Sequence, residues 1–420
     1  MVSEKFRSKG RTPSLGAIFL TVFLDLIGFG IVMPFLALEA REIYGVSEGV
    51  ATLLGASYSL AQFFFVPFWG RLSDTIGRRP VLIISVFFSA VTMVCLGLAL
   101  AYGDSIVWLF MARIFGGIAT ANLGTASAYI ADITTSEDRV KGMGMIGMAF
   151  GLGFIIGPGL GGFLATFPVN GHEGPMACFV AGALSFVNFV WVLMGLPESL
   201  PPEKRSEIKR SLSPLNFEAI GKVFSHPFLG RAVLTNFLII LAFSGLEITF
   251  AFYAKDAFAL TSVGVGWLFV FMGVVAALVQ GGFMRRAGKL YEDSKLAMSG
   301  LWMQCLAFFG IMFAPGFGLW ALVLASAVLA IGNGLTQPSL SGFISRRSQS
   351  QEQGMVLSTH HSFASLARVF GPALGGFCYE YFGESSPFLV GGIINGLGIF
   401  VALKLLSSPM RQEESSESHA

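Results

Sequence analysis

Asp25, Arg113, Glu247 and Arg368 each sit inside a long run of apolar side chains. At membrane depth such a residue costs roughly 2.5–3.5 kcal/mol on insertion scales, so it faces a partner or a wet cavity. One acid and one arginine fall in each half of the chain, and the four sum to zero charge. We expect Asp25 to lie near Arg113 and Glu247 near Arg368. A carboxylate so placed can bind and release a proton, because its protonation depends on local hydration and on the arginine beside it. Both change when the surrounding helices move. The chemistry expected is therefore proton coupling, with Asp25 as the main site and Arg113 as its tuning partner. Glu247 with Arg368 would form a second coupling or substrate site. Static ion pairs are the alternative, although a fixed buried pair carries a desolvation cost without clear gain in stability.

Other side chains fit a cavity around these charges. Gln62, Asn122, Asn236 and Gln280 offer hydrogen bonds, and Phe29, Phe243 and Phe250 offer apolar lining. Single polar residues in bundles also serve as glue between helices, and most of the 42 phenylalanines are lipid contact and packing. His360 and His361 titrate near neutrality in their ordinary state; interfacial packing is the plainer role. Cys95, Cys178, Cys305 and Cys378 stand singly, giving neither a disulfide framework nor a metal site. No HExxH, Walker A or GxSxG pattern occurs, which argues against an enzyme and against ATP-driven pumping.

The elements that must position these residues follow from composition. Of 420 residues, 54% are apolar and 12% charged, against about a quarter charged in an ordinary soluble domain. The apolar residues fall in blocks near the ~20 residues that cross a ~30 Å hydrocarbon core. Spanning helices are expected near 15–38, 50–69, 81–102, 105–127, 142–166 and 176–196, then near 228–252, 262–284, 296–314, 318–337, 355–378 and 386–406. The basic start, Lys5 to Arg11, leads into a run longer than a signal peptide's core, so the first span is read as retained.

Of the 27 lysines and arginines, Arg113 and Arg368 lie in the membrane, only Arg41 and Lys255 fall on one side, and the rest fall on the other. Such a bias places both termini in the cytoplasm, of an inner membrane if the source is bacterial. A net charge of +2 does not point to nucleic acid. The polar, proline-bearing stretch after Pro197 divides the spans six and six. Residues 1–196 and 228–420 are thus expected as two bundles joined by a cytoplasmic linker, 197–227, with a short disordered tail at the end. The halves echo each other, since Gly157-Pro158-Gly159-Leu160-Gly161-Gly162-Phe163 recurs as Gly371-Pro372-Ala373-Leu374-Gly375-Gly376-Phe377. Parallel six-helix repeats imply a site between the halves and alternating access.

Two motifs stand out beside the charges. Gly70 to Pro80 reads as a tight cytoplasmic turn, with Gly77 free to adopt a sharp bend, Asp74 able to pair with a cation, and Arg78 and Arg79 able to meet Asp132 as a latch. In the fifth span, Gly153, Gly157, Gly161 and Gly162 allow close helix approach and Pro158 removes a helix hydrogen bond, which suits a packed seam.

On these residues the sequence resembles the major facilitator superfamily, and specifically its drug/proton antiporter branch that includes tetracycline exporters. Leu24-Asp25-Leu26-Ile27-Gly28-Phe29-Gly30-Ile31-Val32-Met33-Pro34 is similar to that branch's first-span signature. The stretch 70–80 is similar to the superfamily's cytoplasmic loop motif, Arg113-Ile114-Phe115-Gly116-Gly117 to its fourth-span motif, and Gly151 to Gly162 to its fifth-span antiporter motif. The resemblance implies an all-α fold of twelve spans in two pseudo-symmetric bundles, exchange against protons, and a substrate-facing place for Gln62. It weakens where tetracycline exporters carry a carboxylate in the third span and a histidine in the eighth, which are Thr92 and Ala276 here. In the loop after the eighth span, Arg285 stands where the first-half repeat has Asp74. Tetracycline as cargo therefore does not follow.

The expected function is proton-coupled efflux of amphipathic or hydrophobic small molecules by a monomer in the lipid bilayer, with protons as coupling ion and no other cofactor. Proton-linked uptake or carriage of organic anions, and lipid or lysolipid flipping, are the alternatives within transport; a nontransporting sensor lacks a signalling domain.

Overall fold

The computed structural model describes residues 14–33, 35–134, 139–205, 217–226, 228–347 and 353–405. A backbone in hydrocarbon has no water to bond, so each apolar block satisfies its own N–H and C=O groups as a helix. In chain order the helices are α1 (Leu15–Val32), α2 (Leu36–Tyr44), α3 (Glu48–Ile76), α4 (Arg78–Tyr102), α5 (Val107–Ala119), α6 (Leu123–Ile133), α7 (Arg139–Leu164) and α8 (Pro175–Gly195). After them come α9 (Phe217–Ser225), α10 (Leu229–Phe258), α11 (Ser262–Leu278), α12 (Met284–Leu290), α13 (Asp293–Phe313), α14 (Leu319–Arg347), α15 (Gln353–Phe382) and α16 (Ser386–Ala402).

All twelve expected spans are helical, two of them as pairs, α1 with α2 and α5 with α6. Among the described residues ten are long and apolar enough to cross a membrane. The other two are α7, which contributes the shorter apolar stretch Gly151–Leu164, and α15, whose 30 residues include His360, His361 and Arg368.

Several expected boundaries stop short of the real helix ends. The turn expected over 70–80 is a single residue: α3 runs to Ile76, Gly77 takes φ 106° and ψ 159°, and α4 begins at Arg78. Gly70 thus lies within a helix, not a turn. At the same end α14 continues to Arg347. Hydropathy marks where the hydrocarbon ends, whereas the helix persists wherever its backbone bonds are still made.

Three spans are interrupted inside. The first breaks between Val32 and Leu36. The fourth breaks at Thr120 and Asn122, whose φ,ψ of −85°,7° and −89°,−5° belong to the bridge region. The eighth contains a π-helical turn, Val279–Phe283.

In the first half α1 packs on α7 and α8, α4 on α8, and α3 on α5; in the second, α10 packs on α15 and α16, and α13 on α14. The halves meet where α7 lies on α11 and α15 lies on α3. Gly77, Asp132 and α9 mark one end of the bundle, here the basic end. Gly45, Gly103 and Ala259 mark the opposite end. At the basic end α9 buries Val223 and sets Phe224 against Phe363 of α15, ring centroids 5.2 Å apart.

Candidate functional site: buried charges and the seam between the halves

Asp25 is held by the break in the fourth span. Asn122, at the first turn of α6, donates from Nδ2 to Asp25 Oδ2 at 3.0 Å and to Ser85 Oγ of α4 at 2.7 Å. Ser85 in turn donates to the carbonyl of Ala119, the last residue of α5, at 2.6 Å. Thr and Asn bond locally in ways that compete with helix, and here the non-helical joint turns Asn122 toward the aspartate. Among the described residues, Asp25 Oδ1 is buried and has no hydrogen-bond partner.

Arg113 does not form the expected direct pair with Asp25: among the described residues no ion pair joins them. Its guanidinium lies over the ring of Tyr58 of α3, 4.1 Å from the centroid, and its Nε donates to the Leu54 carbonyl at 3.3 Å. A desolvated cation–π contact is worth about 2 kcal/mol, so the aromatic face replaces the carboxylate as partner. Tyr58 is the missing piece between the two, interacting electrostatically with both Arg113 and Asp25. Its hydroxyl is hydrogen-bonded to Thr120 Oγ1 at the break, and its ring lies 5.3 Å from that of Phe29. Gln62 Nε2 reaches the same break, donating to the Thr120 carbonyl at 3.3 Å. Gly117 permits this closeness, since a Cβ there would strike the Tyr58 carbonyl.

Glu247 of α10 and Arg368 of α15 face each other electrostatically, without an ion pair within 4.0 Å among the described residues. Two residues expected to line a cavity are enclosed by packing in this structure. Phe250 is 0% exposed and set edge-on to Phe269 of α11, 5.5 Å between centroids. Asn236 is 1% exposed within the second-half bundle. Phe250 thus lies on a face of α10 turned into α11. Phe243 is partly buried against the core. Gln280, in the π-helical turn, faces Gly151 of α7, where an added Cβ would lie 3.7 Å from its Oε1. His360 is buried on α15, and the His361 side chain lies outside the described residues.

At the basic end Arg78 gathers three partners: Asp74 Oδ1 at 2.5 Å, Ser73 Oγ at 2.6 Å and Asp132 Oδ2 at 3.2 Å. Arg79 turns instead to the Leu193 carbonyl at 2.7 Å. Glu198, which sequence reasoning passed over as linker, caps the N-terminus of α4 by accepting from the backbone N–H of Arg78 at 2.8 Å and of Arg79 at 3.3 Å. An anion there offsets the helix dipole and its unpaired donors. These bonds tie α3, α4 and α6 to the end of α8, within the first half.

The fifth-span glycines occupy two faces of α7. On one, a Cβ at Gly157 would sit 2.7 Å from Gly30 Cα and one at Gly153 2.9 Å from Leu26 Cβ, while Gly161 meets the Ile31 backbone and Pro158 Cδ lies near Gly30, all on α1. On the other, a Cβ at Gly162 would lie 2.8 Å from Gly266 Cα of α11, across the seam. The second half repeats the scheme: Gly371 and Gly375 meet Gly245 of α10, and Gly376 meets Thr52 of α3. Gly157→Ala is therefore expected to destabilise the protein by about 1–3 kcal/mol through backbone overpacking, read as a lowered melting temperature in detergent. An unchanged melting curve would show that the seam has slack.

Arg41 and Lys255, the two cations on the sparsely charged side, both join the halves at the opposite end. Arg41 of α2 makes a two-pronged contact with Asp256 of α10, at 2.8 and 2.9 Å, and also meets Glu48 at 3.1 Å. Lys255 of α10 pairs with Glu42 of α2. The same offset along the chain that separates Gly157 from Gly371 separates Arg41 from Lys255, Glu42 from Asp256 and Gly45 from Ala259. Both helices end in a left-handed residue, Gly45 at φ 61° and Ala259 at φ 53°. A cation–acid dipeptide at the same repeat position thus pairs crosswise with its counterpart. Tyr379 donates to Asp256 at 2.7 Å, Glu380 accepts from the Gly49 N–H at 3.0 Å, and Ser262 donates to Glu173 at 2.9 Å.

Comparison with known proteins agrees with this architecture. The model of the Major Facilitator Superfamily matches residues 18–292 and 287–420. Multidrug resistance protein 2 of Bacillus subtilis is 29% identical over 91% of this chain and 93% of its own length. Tetracycline resistance protein, class E, of Escherichia coli is 34% identical over 86% of each. The crystal structure of the human organic anion transporter MFSD10 (TETRAN) superposes with a TM-score of 0.71 at 26% identity, covering 92% of this chain and 98% of that one. An all-α bundle with these seams and this family match identifies the chain as a transporter belonging to the Major Facilitator Superfamily.

Proposed function

We propose that the protein is a proton-coupled exporter of amphipathic or hydrophobic small molecules, working by alternating access as a monomer. The observation that carries this reading is Asp25, a half-buried carboxylate inside the bundle, held through one oxygen by Asn122 at a helix break, its other oxygen buried and, among the described residues, without a hydrogen-bond partner. A break is a place where α6 can shift against α5 when that hydrogen bond changes strength. With the basic end in the cytoplasm, the crossed pairs seal the outer end, and substrate enters from the cytoplasmic side between the halves. Phe29 and Gln62 of the first half and Phe243 and Gln280 of the second provide the surface for it. Multidrug and tetracycline resistance relatives support export. Inward proton movement supplies about 2.3 kcal/mol per charge per 100 mV.

One observation favours a second reading, an organic-anion cargo: Arg113 is 2% exposed and has no carboxylate at ion-pair distance among the described residues. The likeness to a human organic anion transporter points the same way. Both readings are tested in proteoliposomes under an imposed pH gradient with ethidium, tetracycline and carboxyfluorescein as probes. Gradient-driven movement of ethidium or tetracycline supports the first, movement of carboxyfluorescein alone the second, and gradient-independent movement of all three sinks proton coupling.

A further inference from the structure

Gln304 of α13 and Asn395 of α16 are buried amides that the reading above leaves unused, 1% and 0% exposed. Each stands near the middle of its helix, within Asp293–Phe313 and Ser386–Ala402. The contacts on either side set the two opposite each other. A Cβ on Gly398 would lie 3.8 Å from Leu301 Cδ2, and one on Gly391 would strike the Phe308 ring. The two helices therefore run antiparallel. Three residues on from Leu301 and three back from Gly398 bring Gln304 to Asn395, and four more in each direction bring Phe308 to Gly391. Cys305 Sγ, beside Gln304, lies 3.5 Å from the Gly392 carbonyl, one turn from Asn395, which agrees with this register. On its other flank Gln304 is closed off by α14, where a Cβ on Gly332 would lie 2.8 Å from its Cγ. Among the described residues, neither the oxygen nor the nitrogen of either amide has a hydrogen-bond partner.

The first half carries apolar side chains at the corresponding places. The offset that relates Gly77 to Gly288 relates Met93 to Gln304, and the one that relates Gly157 to Gly371 relates Ala181 to Asn395. There α4 meets α8 as α13 meets α16, with a Cβ on Gly97 3.1 Å from Cys178 Cβ and one on Gly182 2.9 Å from Val94 Cγ2. Met93 and Ala181 are both buried, and packing alone satisfies them. Packing alone does not satisfy two amides, because each carries a carbonyl oxygen and an NH2 group and hydrocarbon supplies no partner at this depth. We propose that Gln304 and Asn395 hold an internal water between α13 and α16, at mid-height of the second-half bundle. A buried water makes about three hydrogen bonds to groups that are otherwise unpaired, and two facing amides offer both donors and acceptors for them. The second half is then wet at a level where the first half is dry.

X-ray radiolytic labelling of the full-length protein in lipid tests this without any cargo, because hydroxyl radicals arise from bound water as well as from bulk. Phe308 is fully buried one turn from Gln304, whereas Phe250 is equally buried against Phe269 of α11. Phe308 is expected to be labelled faster than Phe250. Gln304→Leu together with Asn395→Leu should abolish that excess and bring Phe308 down to the Phe250 rate. Labelling of wild-type Phe308 no faster than Phe250 overturns the proposal, as it would if the amides bonded directly to each other. Faster labelling that the double variant leaves unchanged also overturns it, since the water would then lie elsewhere. If the double variant does not fold, Asn395→Leu decides by the same reading, because a buried water that loses the bonding groups of one amide is no longer held.

Discussion

Asp25→Asn is expected to abolish gradient-driven exchange in proteoliposomes, lowering the rate by about a hundredfold. Asparagine is nearly isosteric and still offers an oxygen to Asn122 Nδ2, so the bond at 3.0 Å that fixes the α5–α6 joint can persist. What disappears is the ability to take up a proton, and with it the difference between the two protonation states that the joint would sense. A transporter can use a gradient only through such a difference, because a ligand that treats two conformations alike shifts neither. The melting temperature should not fall, since the substitution removes a buried charge instead of creating one. Accumulation that still follows the imposed gradient in the variant would exclude Asp25 as the proton site.

Arg41→Ala should open the sealed end. Arg41 bridges Asp256 of the other half with two hydrogen bonds, meets Glu48, and lies over the Phe252 ring at 4.9 Å. Hydrogen bonds to charged groups contribute about 1.5–3 kcal/mol. The side chains of Arg41 and Asp256 are 20% and 31% exposed, so screening reduces this to about 1–2 kcal/mol. That corresponds to roughly a 5- to 30-fold shift toward the conformation open at the opposite end. It would be read as faster labelling of a cysteine placed behind the pairs, for example at Ala257. Lys255→Ala should act in the same direction but more weakly, because that pair is single and more exposed. Restoration by the charge exchange Arg41→Asp with Asp256→Arg would attribute the effect to the pair. Labelling that stays at the wild-type rate in all of these would mean that the glycine seams alone hold the end shut.

Much of the fold was legible before any coordinates. Apolar blocks of span length left helices as the only satisfied backbone, and the repeat of Gly157 to Phe163 at Gly371 to Phe377 announced matching seams. The seams duly recur in matched positions, Gly162 on Gly266 and Gly376 on Thr52. Helix ends were less legible. Arg71 and Asp74 look like loop because they are polar, yet they sit on α3, whose backbone bonds continue past the hydrocarbon. Of the buried charges, the sequence named the residues but mistook one partner. Arg113 chose Tyr58, an aromatic with nothing in its neighbourhood to distinguish it from lining residues. Glu198 was missed because its role depends on the end of α8 returning to α4.

Position along the spans, and which end of the bundle is basic, were thus set by the sequence itself. Helical rise fixes how far Asp25 and Arg113 lie along their spans, and the clustering of lysine and arginine distinguishes one end of the bundle from the other. Azimuth was decided only by the tertiary structure. In lipid every face of a helix is apolar, so periodicity does not say which face meets which neighbour. The pairing of Asp25 with Asn122, of Arg113 with Tyr58, and of Arg41 and Lys255 with acids in the opposite half exists only once close glycine contacts set how the helices are turned.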